Sequence, residues 1–151
     1  MKTFVTILLL MSVTLIAGYD FEIKDGDYVS QTLTGNQSIL VTGGGGISLT
    51  LFDHSRADIQ NTSPLVEGYG GIWQITAADY SHTVITGGQI HDLGIGAYAT
   101  AQISGGYIAQ IRSTQNATLT KHIEIICQSG YAYNSTTGFL SGLWDDGSAF
   151  N

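Results

Sequence analysis

The amino-acid sequence predicts an all-β chain wound as a right-handed parallel β-helix, a solenoid with a period of about eighteen positions per coil closed by a C-terminal hairpin. Three observations carry that expectation. The chain matches itself when shifted by that period, side chains alternate within each copy, and Gly, Ser and Thr supply 50 of 151 residues while Lys and Arg supply five. So few charged residues exclude a long charged helix or a coiled coil. The length allows one domain, and a hydrophobic content of 43% argues against disorder. A net charge of −7 leaves little cation supply for phosphates, which disfavours nucleic acid and anionic membrane surfaces as partners.

Residues 1–18 read as a secretory signal peptide: Lys2 supplies one positive charge, an apolar run follows, and Ala17-Gly18 offers a small-residue cleavage site. The run is short for a membrane span. Cleavage removes Lys2, so the exported part would carry four basic and 12 acidic residues, 4 − 12 = −8. Cys127 is the single cysteine, which rules out an internal disulfide even in an oxidising compartment. It shares one face of an alternating segment with Ile123 and Ile125, which reads as an inert thiol packed among apolar neighbours.

The solenoid is expected over residues 19–128. At the first offset, Tyr80 falls on Tyr98, Ile85 on Ile103, Gly87-Gly88 on Gly105-Gly106 and Ile90 on Ile108. At a larger offset, that from Asp53 to Asp79, an earlier copy appears, with Gly44-Gly45 on Gly70-Gly71 and Ile59 on Ile85. The extra residues lie around Asn61–Gly68, which holds the single proline, and read as an insertion looped out of one coil. Within each copy one parity is small or apolar (Leu51, Asp53, Ser55, Ala57, Ile59; Ala77, Asp79, Ser81, Thr83, Ile85; Ile95, Ala97, Ala99, Ala101, Ile103). The other is larger and mostly polar (His54, Arg56, Asp58; Tyr80, His82, Val84; Tyr98, Thr100, Gln102). That pattern assigns the first set to the inside and the second to the outside. Such a period fits one coil of three short strands turned at the Gly-Gly pairs, where glycine supplies positive φ, and the chain holds four or five such coils. A β-sandwich or jelly roll also suits alternation and glycine turns, and ranks second because it does not explain the self-match.

Residues 129–151 leave the repeat. Tyr131–Gly138 reads as a hairpin turn, and Phe139 onward as a strand, an Asp145-Asp146-Gly147 turn and the start of another strand. This reads as a cap on the open end of the solenoid, or as a chain that stops before its natural end.

The units Asp79-x-Ser-x-x-x-Ile-Thr-Gly-Gly-x-Ile90 and Ala97-x-Ala-x-x-x-Ile-Ser-Gly-Gly-x-Ile108, with the close Leu143–Phe150, resemble secreted bacterial β-helix repeat proteins of the planctomycete type. Such proteins often carry a C-terminal PEP-CTERM sorting anchor and mostly have no assigned activity. The resemblance covers roughly residues 40–150 and implies an extracellular or cell-surface location. It transfers no catalytic residue.

Candidate chemistry is sparse. Parallel β-helices that cut acidic polysaccharides need clustered carboxylates, often with Ca²⁺, and a neighbouring basic residue. Asp53 and Asp79 fall on adjacent coils with Arg56 and His82 nearby, so a Ca²⁺ ion, a shared proton or partner hydrogen bonds must hold two like charges there. A polar corner residue bonded to its turn is the simpler reading, and Ala97 in the third copy breaks the series. His54, Tyr80 and Tyr98 form an outward column against which a sugar could stack, although a stabilising surface stack is the commoner use. His54, His82, His91 and His122 lack zinc-ligand spacing. The Asp145-Asp146-Gly147 segment is too short for a calcium loop, and the four glycines at 43–46 lack the Lys-Ser/Thr of a phosphate loop. Four of the five asparagines (Asn36, Asn61, Asn116, Asn134) begin Asn-x-Ser/Thr sequons. These would be glycan sites in a eukaryotic secretory host, whereas the bacterial resemblance favours Asn-Ser/Thr turn chemistry.

These readings give an exported, non-enzymatic solenoid acting as a structural or surface-interaction module toward extracellular polysaccharide or cell-surface components. The alternatives are a polysaccharide lyase or glycoside hydrolase of the pectin-lyase-like type using Asp53 and Asp79, and a carbohydrate-binding module using Tyr80 and Tyr98.

Overall fold

The computed structural model describes residues 18–65, 70–114 and 119–150, so the expected signal peptide and Asn116 lie outside the described residues apart from Gly18. Fourteen strands and no helix are formed among the described residues. In chain order they are β1 (Phe21–Ile23), β2 (Gln31–Leu33), β3 (Ser38–Val41), β4 (Gly45–Leu51), β5 (Arg56–Ile59), β6 (Gly71–Ala77) and β7 (His82–Ile85). They continue with β8 (Gln89–Ile95), β9 (Thr100–Ile103), β10 (Tyr107–Ser113), β11 (His122–Ile125), β12 (Ala132–Asn134), β13 (Phe139–Leu143) and β14 (Ala149–Phe150).

The odd-numbered strands β1 to β11 form one parallel six-stranded sheet and the even-numbered strands β2 to β10 a parallel five-stranded one. Each coil therefore contributes one strand to each sheet, as a β-solenoid requires. Five coils result, and β11 opens a sixth. The register follows the self-match: His82 pairs with Thr100 and Ile85 with Ile103, one period on, while Arg56 pairs with His82 across the longer interval that contains the insertion. A second lengthened interval separates Thr100 from its partner His122.

The long strands carry a bend that makes the coil three-sided. Strict alternation along β6 would bury residues 72, 74 and 76, but Ile72, Ile75 and Ala77 are the buried ones, with Trp73 and Gln74 both turned outward. The pairing skips the same place on β4, β6, β8 and β10, at Ile47, Trp73, His91 and Ala109. The glycine corner precedes it. Gly88 and Gly106 hold φ of 85° and 88°, and a Cβ on Gly106 would lie 2.8 Å from the carbonyl oxygen of Gly88. A side chain at either position is opposed by both backbone conformation and stacking.

The interior follows the predicted parity. Leu51, Ile59, Ile85, Ile95 and Ile103 are fully buried with Leu33, Val41, Ile75 and Leu93. On the middle coils the corner between the two sheets takes small groups: Ser55, Ser81 and Ala99 in one column, Ala57, Thr83 and Ala101 in the next. Two expected inward residues are corrected. Asp53 is exposed and Asp79 half-exposed, because both occupy the turn itself, where a left-handed backbone interrupts the alternation.

The final residues form a three-stranded antiparallel sheet in the order β12-β13-β14, which realises the expected hairpin and the strand beyond the Asp145–Gly147 turn. Trp144 anchors it: the indole N–H donates to the carbonyl oxygen of Gly106 at 3.1 Å and the ring stacks on Phe150 with centroids 4.2 Å apart.

Candidate functional site

The paired carboxylates are assembled by the turns that precede β5 and β7. Asp53 and Asp79 each hold φ of 56°, in the left-handed region that Asp and Asn tolerate best among residues with a Cβ. Asp53 Oδ2 accepts the backbone N–H of Gly35 at 2.9 Å, and Asp79 Oδ2 accepts that of Asp53 at 3.5 Å. Each carboxylate thus reaches to the same turn of the preceding coil and satisfies a donor there. Backbone hydrogen bonds, one of the three ways to hold two stacked carboxylates, thus serve both. The third copy departs as the sequence suggests: Ala97 is buried, and the left-handed residue moves on by one to Tyr98, φ 57°.

Arg56 does not face this pair. Its Nε donates to both oxygens of Asp58, at 2.8 and 3.0 Å. Asp58 is only 7% exposed, because the hydroxyl of Tyr19 also donates to its Oδ2 from the outer side. The bond to Asp58, and then burial, raises the Tyr19 phenol above its ordinary pKa. On the next coil His82 stands beside Arg56, with Nδ1 2.6 Å from the hydroxyl of Thr100. Burial, and then the positive charge of Arg56, lower the His82 pKa, which favours the neutral ring. Sequence reasoning does not find this polar chain, from Tyr19 through Asp58 and Arg56 to His82 and Thr100, as a unit. The Arg56-x-Asp58 spacing places both on one face, whereas Tyr19, far upstream of Asp58, gives no local signal.

The aromatic column is present as expected. His54 and Tyr80 stack with centroids 5.3 Å apart and planes 10° from parallel, and Tyr80 and Tyr98 stack at 5.1 Å and 8°. The rings lie face to face along the solenoid, so their mutual faces are occupied and their edges point outward. A sugar ring would find free faces only at the two ends of the stack. A second ring pair, Trp73 and His91, tilted by 34° with centroids 4.9 Å apart, lies at the bend. The self-match hides that column, because it places Ile47 and Ala109 at the same position.

The Asp145–Gly147 segment is a turn. Asp146 Oδ1 accepts the hydroxyl and backbone N–H of Ser148 at 2.6 and 2.8 Å, and these bonds hold its carboxyl below the usual range. Among the described residues no three His, Cys, Asp or Glu side chains gather where an ion could be held. Cys127 is free and half-buried against the edge of the core. The cleft between β10, β11 and the C-terminal sheet has a volume of about 220 Å³ and is lined by Ile108, Ile125, Leu140, Trp144 and Phe150 among others. Among the described residues that line it there is no carboxylate, lysine, arginine or histidine, and the polar side chains are those of Tyr107 and Gln110 beside the indole of Trp144.

Compared with protein-family models, curated proteins and solved structures, the chain matches none.

Proposed function

We propose that this chain is an exported, non-enzymatic β-solenoid that serves as a structural or surface-interaction module, as in the secreted bacterial β-helix repeat proteins it resembles. The observation that carries the reading is the use made of its polar groups. Asp53 and Asp79 hold neighbouring turns together, Arg56 neutralises Asp58, and the tyrosines of the outer column cover one another. A hydrolase or lyase needs such groups free, with a perturbed acid or base beside a cleft. Here the cleft is lined mainly by apolar side chains and the carboxylates lie elsewhere. The expected location is outside the cell, and the partners are extracellular polysaccharide or cell-surface components that meet a rigid, repeating face.

The test is a depolymerisation screen of acidic and neutral polysaccharides with the wild type and Asp79→Asn, with or without added Ca²⁺. No product from either protein is expected. Product from the wild type that disappears in the variant overturns the reading in favour of the enzyme. Intact mass of the protein recovered from the medium checks the export part: loss of the segment up to Gly18 is expected.

A further inference from the structure

The five-stranded sheet stops one strand short of its six-stranded neighbour. The sixth coil supplies β11, but the chain then passes into the C-terminal sheet, and among the described residues β10 pairs with β8 alone. The cleft of about 220 Å³ opens beside that unpaired edge. Tyr107, Ile108, Ala109, Gln110 and Ile111, consecutive along β10, all line it, so the strand turns its edge to the cleft and not one face. Such an edge carries a row of backbone donors and acceptors. Leu140, Trp144 and Phe150 of the C-terminal part supply apolar lining to the same cleft. Trp144 fixes that part in place: its indole N–H is taken up by the Gly106 carbonyl and its ring stacks on Phe150, so its polar hydrogen is already satisfied.

We infer that this cleft binds a small uncharged amphiphile, an apolar body of about ten non-hydrogen atoms carrying a single amide or ester group. Size, charge and polarity each select that occupant. The volume of about 220 Å³ exceeds the roughly 150 Å³ that accommodates a benzene ring, and lies below the roughly 300 Å³ at which sites for drug-sized ligands begin. No carboxylate, lysine, arginine or histidine lines the cleft among the described residues, so an ionised ligand would lose water there without meeting a counter-charge. A pure hydrocarbon would cover the open edge of β10 and leave its backbone groups unpaired, which is costly. A primary amide donates and accepts as a backbone does, and Tyr107 and Gln110 add a hydroxyl and a second amide to the lining. The apolar body would rest against Ile108, Ile125 and Leu140, and would shield Ile111 and Phe139, which are 40% and 65% exposed.

This site goes beyond the structural role proposed above and does not depend on export, because every residue that makes it lies between positions 103 and 150.

Octanamide is a suitable probe, with octanoate and octylammonium as charged counterparts of the same length. Saturation-transfer NMR detects binding to the purified chain, and titration gives the affinity. Octanamide is expected to bind with Kd of about 100 μM, and both ions at least about tenfold more weakly at neutral pH. Ile111→Asp places a charge in the lining and should abolish the octanamide signal, and Ile111→Trp should do so by filling the space. Ile47→Asp, at a side chain 60% exposed on β4 and outside the lining, should leave binding unchanged. Slow hydrogen exchange in β6 and β8 certifies that each variant is folded, and Ile111→Trp carries the test if Ile111→Asp is not. A folded wild type that does not bind octanamide, equal affinity for the charged counterparts, undiminished binding in a folded Ile111 variant, or loss of binding in Ile47→Asp overturns the inference.

Discussion

The middle coils and the last coil contain the same kind of residues in the same register and treat them differently. Leu49, Ile75 and Leu93 form one inward column and are essentially inaccessible, while Ile111, next in that column, is 40% exposed. Burial in a solenoid is therefore a property of what lies above and below. In this column the side chains with a coil on both sides are sequestered and the last one is not. The glycine corner and outward bend persist into β10, so the local conformation is inherited even where the packing is not.

The sharpest test of that contrast is a pair of truncations. Leu93→Ala leaves a cavity between two coils and is expected to lower unfolding free energy by about 4 kcal/mol, whereas Ile111→Ala should cost below about 1 kcal/mol. Urea midpoints measure both, and equal losses would erase the distinction. Trp144→Ala should cost about 3 kcal/mol in the stability of the C-terminal sheet alone. Hydrogen exchange should then accelerate in β13 and β14 and stay slow in β6 and β8.

Within the middle coils the effects become smaller and more particular. Asp79→Ala removes the acceptor for the Asp53 N–H and forces alanine into a left-handed conformation, an expected loss of about 2 kcal/mol. Asp79→Gly, which relieves the backbone and loses only the bond, should recover about half of it. The buried hydroxyl of Thr83 has no hydrogen-bond partner among the described residues, so Thr83→Val, equal in shape, should raise stability by about 1 kcal/mol. The smallest effect is on pH. His82 titrates lower in the folded chain than its ordinary 6.5, so the unfolded chain binds a proton first. Stability should fall as pH drops below about 6.5 and level off once the folded ring is also protonated, and His82→Gln should flatten that part of the profile.

Much of the architecture is legible because a solenoid writes its period directly into the chain. The Gly-Gly pairs, the matched isoleucines and the small residues of the narrow corner each recur at the spacing that stacks them. Parity misleads at Asp53 and Asp79, where a left-handed residue reverses the side chain's direction, and at the bend of the long strands, where Trp73 and Gln74 both face outward. The site is less legible because its contacts are not periodic. Arg56 has two apparent partners in the sequence and takes Asp58, whose burial depends on Tyr19 far upstream. The apolar lining of the cleft depends on the path of the C-terminal sheet, which the repeat does not encode.

The uniform ladder also makes height a countable quantity. Every coil adds one strand spacing, about 4.8 Å, whatever the composition of its turns. The two lengthened intervals, between β5 and β7 and between β9 and β11, leave the parallel pairing, and so that increment, unaltered. Duplicating residues 79–96 should accordingly yield a taller molecule with unchanged cross-section, a molecular ruler graduated in units of a single β-strand.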